Sequence, residues 1–302
     1  MGDRQVIQQN IHSLLPKLDD PDADLRYMSL NDLFGILNDQ SSLFLSNESR
    51  TTTQLADGLL KALDDQHGEV QNQALQCLGP LALRVPPETL VSILEKLTNL
   101  TSSQTIDTSV PNTALRTIVD TLPHPQANQP PQPSVRNAYL AISRVLIPKL
   151  AGSTPSSSGR RGSVVRGMLE KDASKGFSSD AIDVLIRVVT CFGPLLQETE
   201  LDSLQQSVMA IIHTDTAGTV VTKRALAAIG ALVLFFSDNQ LNIFVGRLVD
   251  DLSSSKITTI HRRHLIAVIG TVTRSAPAKL GPHLDRLAPY VFAAAGEDGV
   301  GN

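Results

Sequence analysis

The feature that most constrains this chain is a three-rung apolar ladder that recurs along it. EVQNQALQCLGPL places Val70, Ala74 and Leu78 four residues apart, and positions i, i+4 and i+8 lie along one face of a helix. The same spacing returns as Leu25, Ser29, Leu33; as Val110, Ala114, Ile118; as Val184, Val188, Phe192; and as Val221, Ala225, Ile229. A looser copy is His261, Leu265, Ile269. The last rung advances by 45, 40, 74, 37 and 40 residues, and a period of about 40 is that of a two-helix solenoid repeat. The 74-residue step is one repeat plus an insertion. Each ladder is expected to be a buried seam, and sustained period-2 alternation, the mark of strands, is missing.

A more variable helix is expected before each ladder, over 7–18, 52–63, 88–100, 134–150, 201–213 and 241–252, with a further leading helix over 280–295. Gly79, Gly193, Gly230 and Gly270 follow the last rung in four copies. Glycine inside a helix costs about 1 kcal/mol relative to Ala, so its recurrence in one slot predicts a close approach of neighbouring helices. CLGPL at 77–81 recurs as CFGPL at 191–195, where a mid-helix Pro would bend each helix. The acidic and Gly-containing turns DDPDAD and DDQHGE suit helix caps. The reading is an all-α fold, a curved HEAT-type α-solenoid of about six to seven repeats over 1–295. A Pro-rich linker at 123–133, a flexible Ser/Gly-rich insertion at 151–179 with a short helical piece near 164–171, and a frayed tail at 296–302 punctuate it.

Composition narrows function by exclusion. The 302 residues carry a net charge of −4, 4% aromatics and no Trp, which argues against a nucleic-acid footprint with base-stacking platforms. No apolar run approaches the ~20 residues of a membrane span, and the N-terminus lacks a secretory stretch, so a soluble intracellular protein is expected. Cys77 and Cys191 occupy equivalent register positions and read as small buried hydrophobes. His261 and His264 are three apart on one helix but lack further ligands, and Arg262 and Arg263 would repel a cation, so they read as surface or inter-helix histidines. No phosphate-binding loop, nucleophile elbow or dinucleotide fingerprint occurs. An enzyme, a cofactor and a metal site are therefore not expected. RRGSV at 160–164 makes Ser163 a candidate phosphosite.

What remains is a binding surface. On the ladder helices the side chains beside the seam are the partner-binding candidates: Arg26, Tyr27, Asn31 and Asp32 on the first, Glu69, Asn72, Gln73 and Gln76 on the second. Arg and Tyr are frequent interface anchors, which favours Arg26 and Tyr27. Gln5, Gln8, Gln9 and Asn10 could cap the N-terminal end of the array. LDRLAPYVFAAA instead ends on an apolar helix, which makes Leu287, Tyr290, Val291 and Phe292 candidates for docking a second HEAT-repeat chain.

DADLRYMSLNDL (22–33) and HGEVQNQALQCLGPLA (67–82) resemble the first two repeats of the cullin-associated and neddylation-dissociated family. TKRALAAIGALV and IGTVTRSAPAKLGPHLDRLAPYV are similar to later repeats of that family. The resemblance covers most of 10–295 and implies a HEAT solenoid that wraps an unneddylated cullin and its RING subunit. In such proteins the N-terminal repeats clasp the cullin end that receives the ubiquitin-like tag, and the C-terminal repeats displace the substrate adaptor. The chain matches only the beginning of such a protein. The resemblance thus implies a non-catalytic regulator of cullin–RING ubiquitin ligases in cytoplasm and nucleus, working with a second chain that carries the remaining repeats. A HEAT scaffold of another kind, of the phosphatase-scaffold or transport-factor type, is the alternative.

Overall fold

Fifteen short helical segments, a few 3-10 turns and one isolated antiparallel bridge between Glu170 and Phe177 account for the regular structure among the described residues. The computed structural model describes residues 2–102, 107–152, 167–171 and 176–298. Ser163, and most of the Ser/Gly-rich insertion with it, lies outside the described residues. Residues 167–171 form a turn and half of the bridge rather than the expected helical piece. Two compact units divide the chain, Met1–Lys149 and Leu150–Asn302.

The first unit runs α1 (Asp3–Leu14), α2 (Ala23–Asn38), α3 (Ser49–Ala62), α4 (Gly68–Ala82), α5 (Pro87–Leu100), α6 (Ser109–Thr121) and α7 (Pro133–Ala141), with a π-helical turn (Ile142–Leu146) leading into α8 (Ile147–Ala151). The ladder helices α2, α4 and α6 pack side by side in one layer, and α3, α5 and α7 form the other. The Pro-rich stretch between α6 and α7 holds no regular structure, as its four prolines without backbone N–H groups dictate, and the fifth, Pro133, opens α7. The second unit runs α9 (Ser179–Phe192), α10 (Glu198–Ile212), α11 (Thr219–Val233), α12 (Asp238–Ser253), α13 (Thr259–Ser275), α14 (Pro277–Leu280) and α15 (Leu284–Asp298). Its ladder layer is α9, α11 and α13, again side by side.

The second and third rungs of all six ladders are buried, so the seam holds in both units. The first rung does not follow it everywhere. Leu25 is 44% exposed. Val110, Val221 and His261 are half-buried.

In two of its four copies the glycine slot is a contact between ladder helices. A Cβ on Gly79 would sit 2.8 Å from the Thr121 Oγ1 on α6, and one on Gly230 would sit 2.7 Å from the Ser275 Oγ on α13. Gly193 faces the Phe235 ring in the same way, whereas Gly270, on the last ladder helix of its unit, meets only Arg274 of its own helix. The shared GPL motif folds differently in its two copies. Pro80 lies inside α4, but α9 stops at Phe192 and Gly193–Leu195 form a 3-10 turn. Here α10 begins at Glu198, four residues after Pro194, against the seven that separate Pro80 from α5. That leaves no length for another helical turn.

The polar turns act as caps. Asp22 accepts from the Asp24 N–H and Thr258 from the His261 N–H, and Gln197/Glu200 and Ser237/Gln240 form capping boxes. Both cysteines are buried, and burial pushes the Cys77 thiol up to about 12. That suits core packing, not nucleophilic chemistry.

Candidate partner-binding surface

In the first unit α2 buries Ser29, Leu30, Leu33 and Leu37 and turns the opposite face outward. Asp24, Met28 and Asp32 form an exposed i, i+4 row along that face. Tyr27 is 39% exposed and Asn31 and Asp32 are open to solvent. On the adjacent α4, Glu69, Asn72 and Gln76 are exposed and Gln73 is half-buried. Gln73 Nε2 donates to Asn31 Oδ1 at 3.3 Å, so the two helices share one polar surface.

Arg26 is placed differently from its neighbours. Its Nε and Nη2 donate to the two Asp65 carboxylate oxygens, at 2.8 and 3.1 Å. Nη1 donates to the backbone carbonyls of Asp20 and Pro21, and Nη2 also lies 3.3 Å from His67 Nδ1. Four of the five guanidinium N–H groups thus have an acceptor within the chain, and the fifth faces His67. Arg26 therefore ties the first turn of α2 to the loop before α4. Partial burial opposes ionisation of Asp65, but the Arg26 guanidinium and the His67 backbone N–H outweigh it and hold the carboxyl below the usual range. Sequence reasoning missed Met28, 58% exposed, and Leu25. The i, i+4 row of Asp24, Met28 and Asp32, opposite the seam, was the available signal.

On the other layer of this unit a groove of about 450 Å³, floored by Leu60, Leu63, Leu100, Val110 and Pro111, runs between α3 and α5, with the Lys96–Asp57 ion pair on its rim. Such exposed pairs contribute at most about 1 kcal/mol.

In the second unit α15 packs on α12 and α13, and Arg286 Nη1 donates to Asn242 Oδ1 at 3.0 Å. Leu287 is 1% exposed and belongs to the core of this unit, so it is not available to a second chain. Tyr290 is half-buried, while Val291 and Phe292 are 39% and 76% exposed. The two histidines of IHRRHL meet other groups. His261 Nε2 is hydrogen-bonded to His213 Nδ1, and His264 Nδ1 lies 3.0 Å from the Ile212 carbonyl oxygen. His213 Nε2 is 3.8 Å from Asp251. Among the described residues no group of three or more His, Cys, Asp or Glu side chains is arranged to hold a metal ion. No described helix is long and apolar enough to cross a membrane. The arrangement offers broad, mixed polar and apolar helix faces.

Paired helices in two layers make this an α-solenoid fold. A likeness to Kap121p, at 17% identity and a TM-score of 0.54 over 96% of this chain and 27% of that one, supports the same fold class. A family model described as "Cullin-associated NEDD8-dissociated protein 1 N-terminal part" matches residues 89–301. The chain is 63% identical over 300 residues to the Emericella nidulans "Cullin-associated NEDD8-dissociated protein 1, N-terminal part", covering 99% of this chain and 88% of that one. It is 28% identical to the mouse "Cullin-associated NEDD8-dissociated protein 2" over 93% of this chain but 21% of that one. The Arabidopsis thaliana "Cullin-associated NEDD8-dissociated protein 1" is 26% identical over 90% of this chain and 20% of its own length. The chain thus belongs to the N-terminal-part family of the cullin-associated NEDD8-dissociated proteins, and it spans about a fifth of the mouse and plant relatives.

Proposed function

We propose that the chain is a non-catalytic regulator of cullin–RING ubiquitin ligases. It binds the unneddylated cullin together with its RING subunit, occludes the lysine that accepts NEDD8, and promotes substrate-receptor exchange together with a chain that carries the remaining repeats. The observation that carries this reading is the 63% identity over nearly the whole chain to a relative named as a cullin-associated NEDD8-dissociated protein. The exposed faces of α2 and α4 support a surface that works by area and shape, with Tyr27 and Met28 as anchors and Asp24, Asp32 and Glu69 setting its charge. Exposed Phe292 and Val291 on α15 support the docking of a second HEAT-repeat chain at that end. The same reading puts the protein in cytoplasm and nucleus, which fluorescence microscopy of a tagged chain checks.

The test is a reconstituted neddylation reaction on a cullin–RING complex. Addition of the chain, with and without whatever HEAT-repeat polypeptide co-purifies with it, slows NEDD8 transfer on this reading. An unchanged rate in both cases would refute it. Purification from its own cells with no second HEAT chain at any salt concentration would refute the docking role of α15.

A further inference from the structure

The register of the repeats exposes a difference between the α2–α4 pair and the α11–α13 pair. Nine residues before the last rung stand Asp24 on α2 and Glu69 on α4, but Val220 on α11 and Ile260 on α13. Six before it stand Tyr27 and Asn72, but Lys223 and Arg263; two before it stand Asn31 and Gln76, but Ala227 and Ala267. The outward ladder face of α2 and α4 is therefore acidic and amide-rich. On α11 and α13 the equivalent face is apolar, then cationic, then small.

Among the described residues of the second unit that face stays open. Val220 and Ile260 are 62% and 51% exposed. Lys223 and Arg263 are exposed and form no ion pair among the described residues, whereas the neighbouring Arg224 is tied to Asp183 and carries no free charge. Helices α11 and α13 pack directly against each other, so the two rows lie side by side. Ala227 and Ala267 leave a shallow floor over which another backbone can come close.

Resting on the reading of the chain as a cullin–RING binder, we propose that this α11–α13 face docks an acidic amphipathic segment of the cullin–RING complex. Its carboxylates pair with Lys223 and Arg263, and its apolar side chains lie across Val220 and Ile260. The α11–α13 face is thus opposite in charge to the α2–α4 face. Exposed aliphatic side chains beside the cations, without an aromatic among them, favour a protein ligand over single-stranded nucleic acid, which is gripped by stacking.

The experiment is an equilibrium titration of the purified unneddylated cullin–RING complex with the full chain and three exposed-face variants, each checked by circular dichroism. Lys223→Glu with Arg263→Glu weakens binding about tenfold and flattens its salt dependence, as expected when two interfacial charges are reversed. Ile260→Asp also weakens it, and Lys223→Arg with Arg263→Lys keeps wild-type affinity. Wild-type affinity in the charge-reversed pair overturns this inference and leaves the proposed function standing. No binding by the wild-type chain overturns both. Binding of a mixed-sequence single-stranded oligonucleotide that needs Lys223 and Arg263, with cullin–RING affinity untouched by their reversal, assigns the face to nucleic acid and also overturns the inference.

Discussion

Arg26 and Asp65 stand 39 residues apart in sequence and close a two-point ion pair, with Nε to Oδ2 at 2.8 Å and Nη2 to Oδ1 at 3.1 Å. The pair joins the start of one ladder helix to the loop that launches the next, so it holds the spacing of the first two repeats. Paired planar groups with few accessible atoms are the geometry in which an ion pair contributes to stability. Asp65 titrates below the usual carboxylate range, so its contribution is complete above the unfolded value of about 4 and is lost as pH falls through the lowered folded value. Asp65→Asn therefore lowers the Tm at neutral pH and flattens the Tm profile in acid. Profiles that coincide with wild type would show that the pair is ornamental.

His213 gives a second pH window. Burial and then the neighbouring His261 hold its imidazole below the usual value, while Asp251 of α12 pulls the other way. A histidine with a depressed folded pKa is protonated first in the unfolded chain, so stability is complete above about pH 6.5 and declines as pH falls through the lowered folded value. His213→Gln removes part of that decline. Thermal melts of the two proteins between neutral and mildly acidic pH measure it, and equal slopes would contradict the assignment.

Gly79 sets two effects against each other. Ala in its place gains about 1 kcal/mol of helix propensity, but its Cβ would meet Thr121 Oγ1 at 2.8 Å. That hydroxyl is held in place because it donates to the Thr117 carbonyl at 2.7 Å. Overpacking costs about 1–3 kcal/mol, so Gly79→Ala destabilises the fold on balance. Combined with Thr121→Ala the clash disappears and the propensity gain remains. Urea denaturation of the single and double variants reads the coupling, and additive effects would mean the two helices do not meet there.

On the first unit's surface, Tyr27→Ala with Met28→Ala is expected to weaken cullin–RING binding about tenfold, the typical cost of removing interface anchors. Glu69→Lys changes the salt dependence with a smaller loss of affinity. Circular dichroism should be unchanged, because none of the three side chains is buried. Arg26→Glu is unsuited to this purpose, since its loss acts on the chain's own packing.

The ladder could be read from sequence because an i, i+4, i+8 seam needs only local spacing, and its second and third rungs are buried in every copy. Its first rung failed at Leu25 because burial there depends on what packs over that end of α2, which spacing along one helix does not report. Arg26 looked like a free anchor because its acceptor lies a whole repeat away. Leu287 and Phe292 read alike as apolar residues of one helix; which of them faces α12 and α13 is decided by tertiary packing. The two GPL motifs differ through the length of chain that follows them, a feature outside the motif itself.

The central claim is that this chain recognises a cullin–RING complex in its unmodified state. Equilibrium titration of the chain against matched unneddylated and neddylated cullin–RING complexes tests it most directly. The account predicts markedly tighter binding to the unneddylated form; equal affinity for the two forms, or no binding to either, would contradict it.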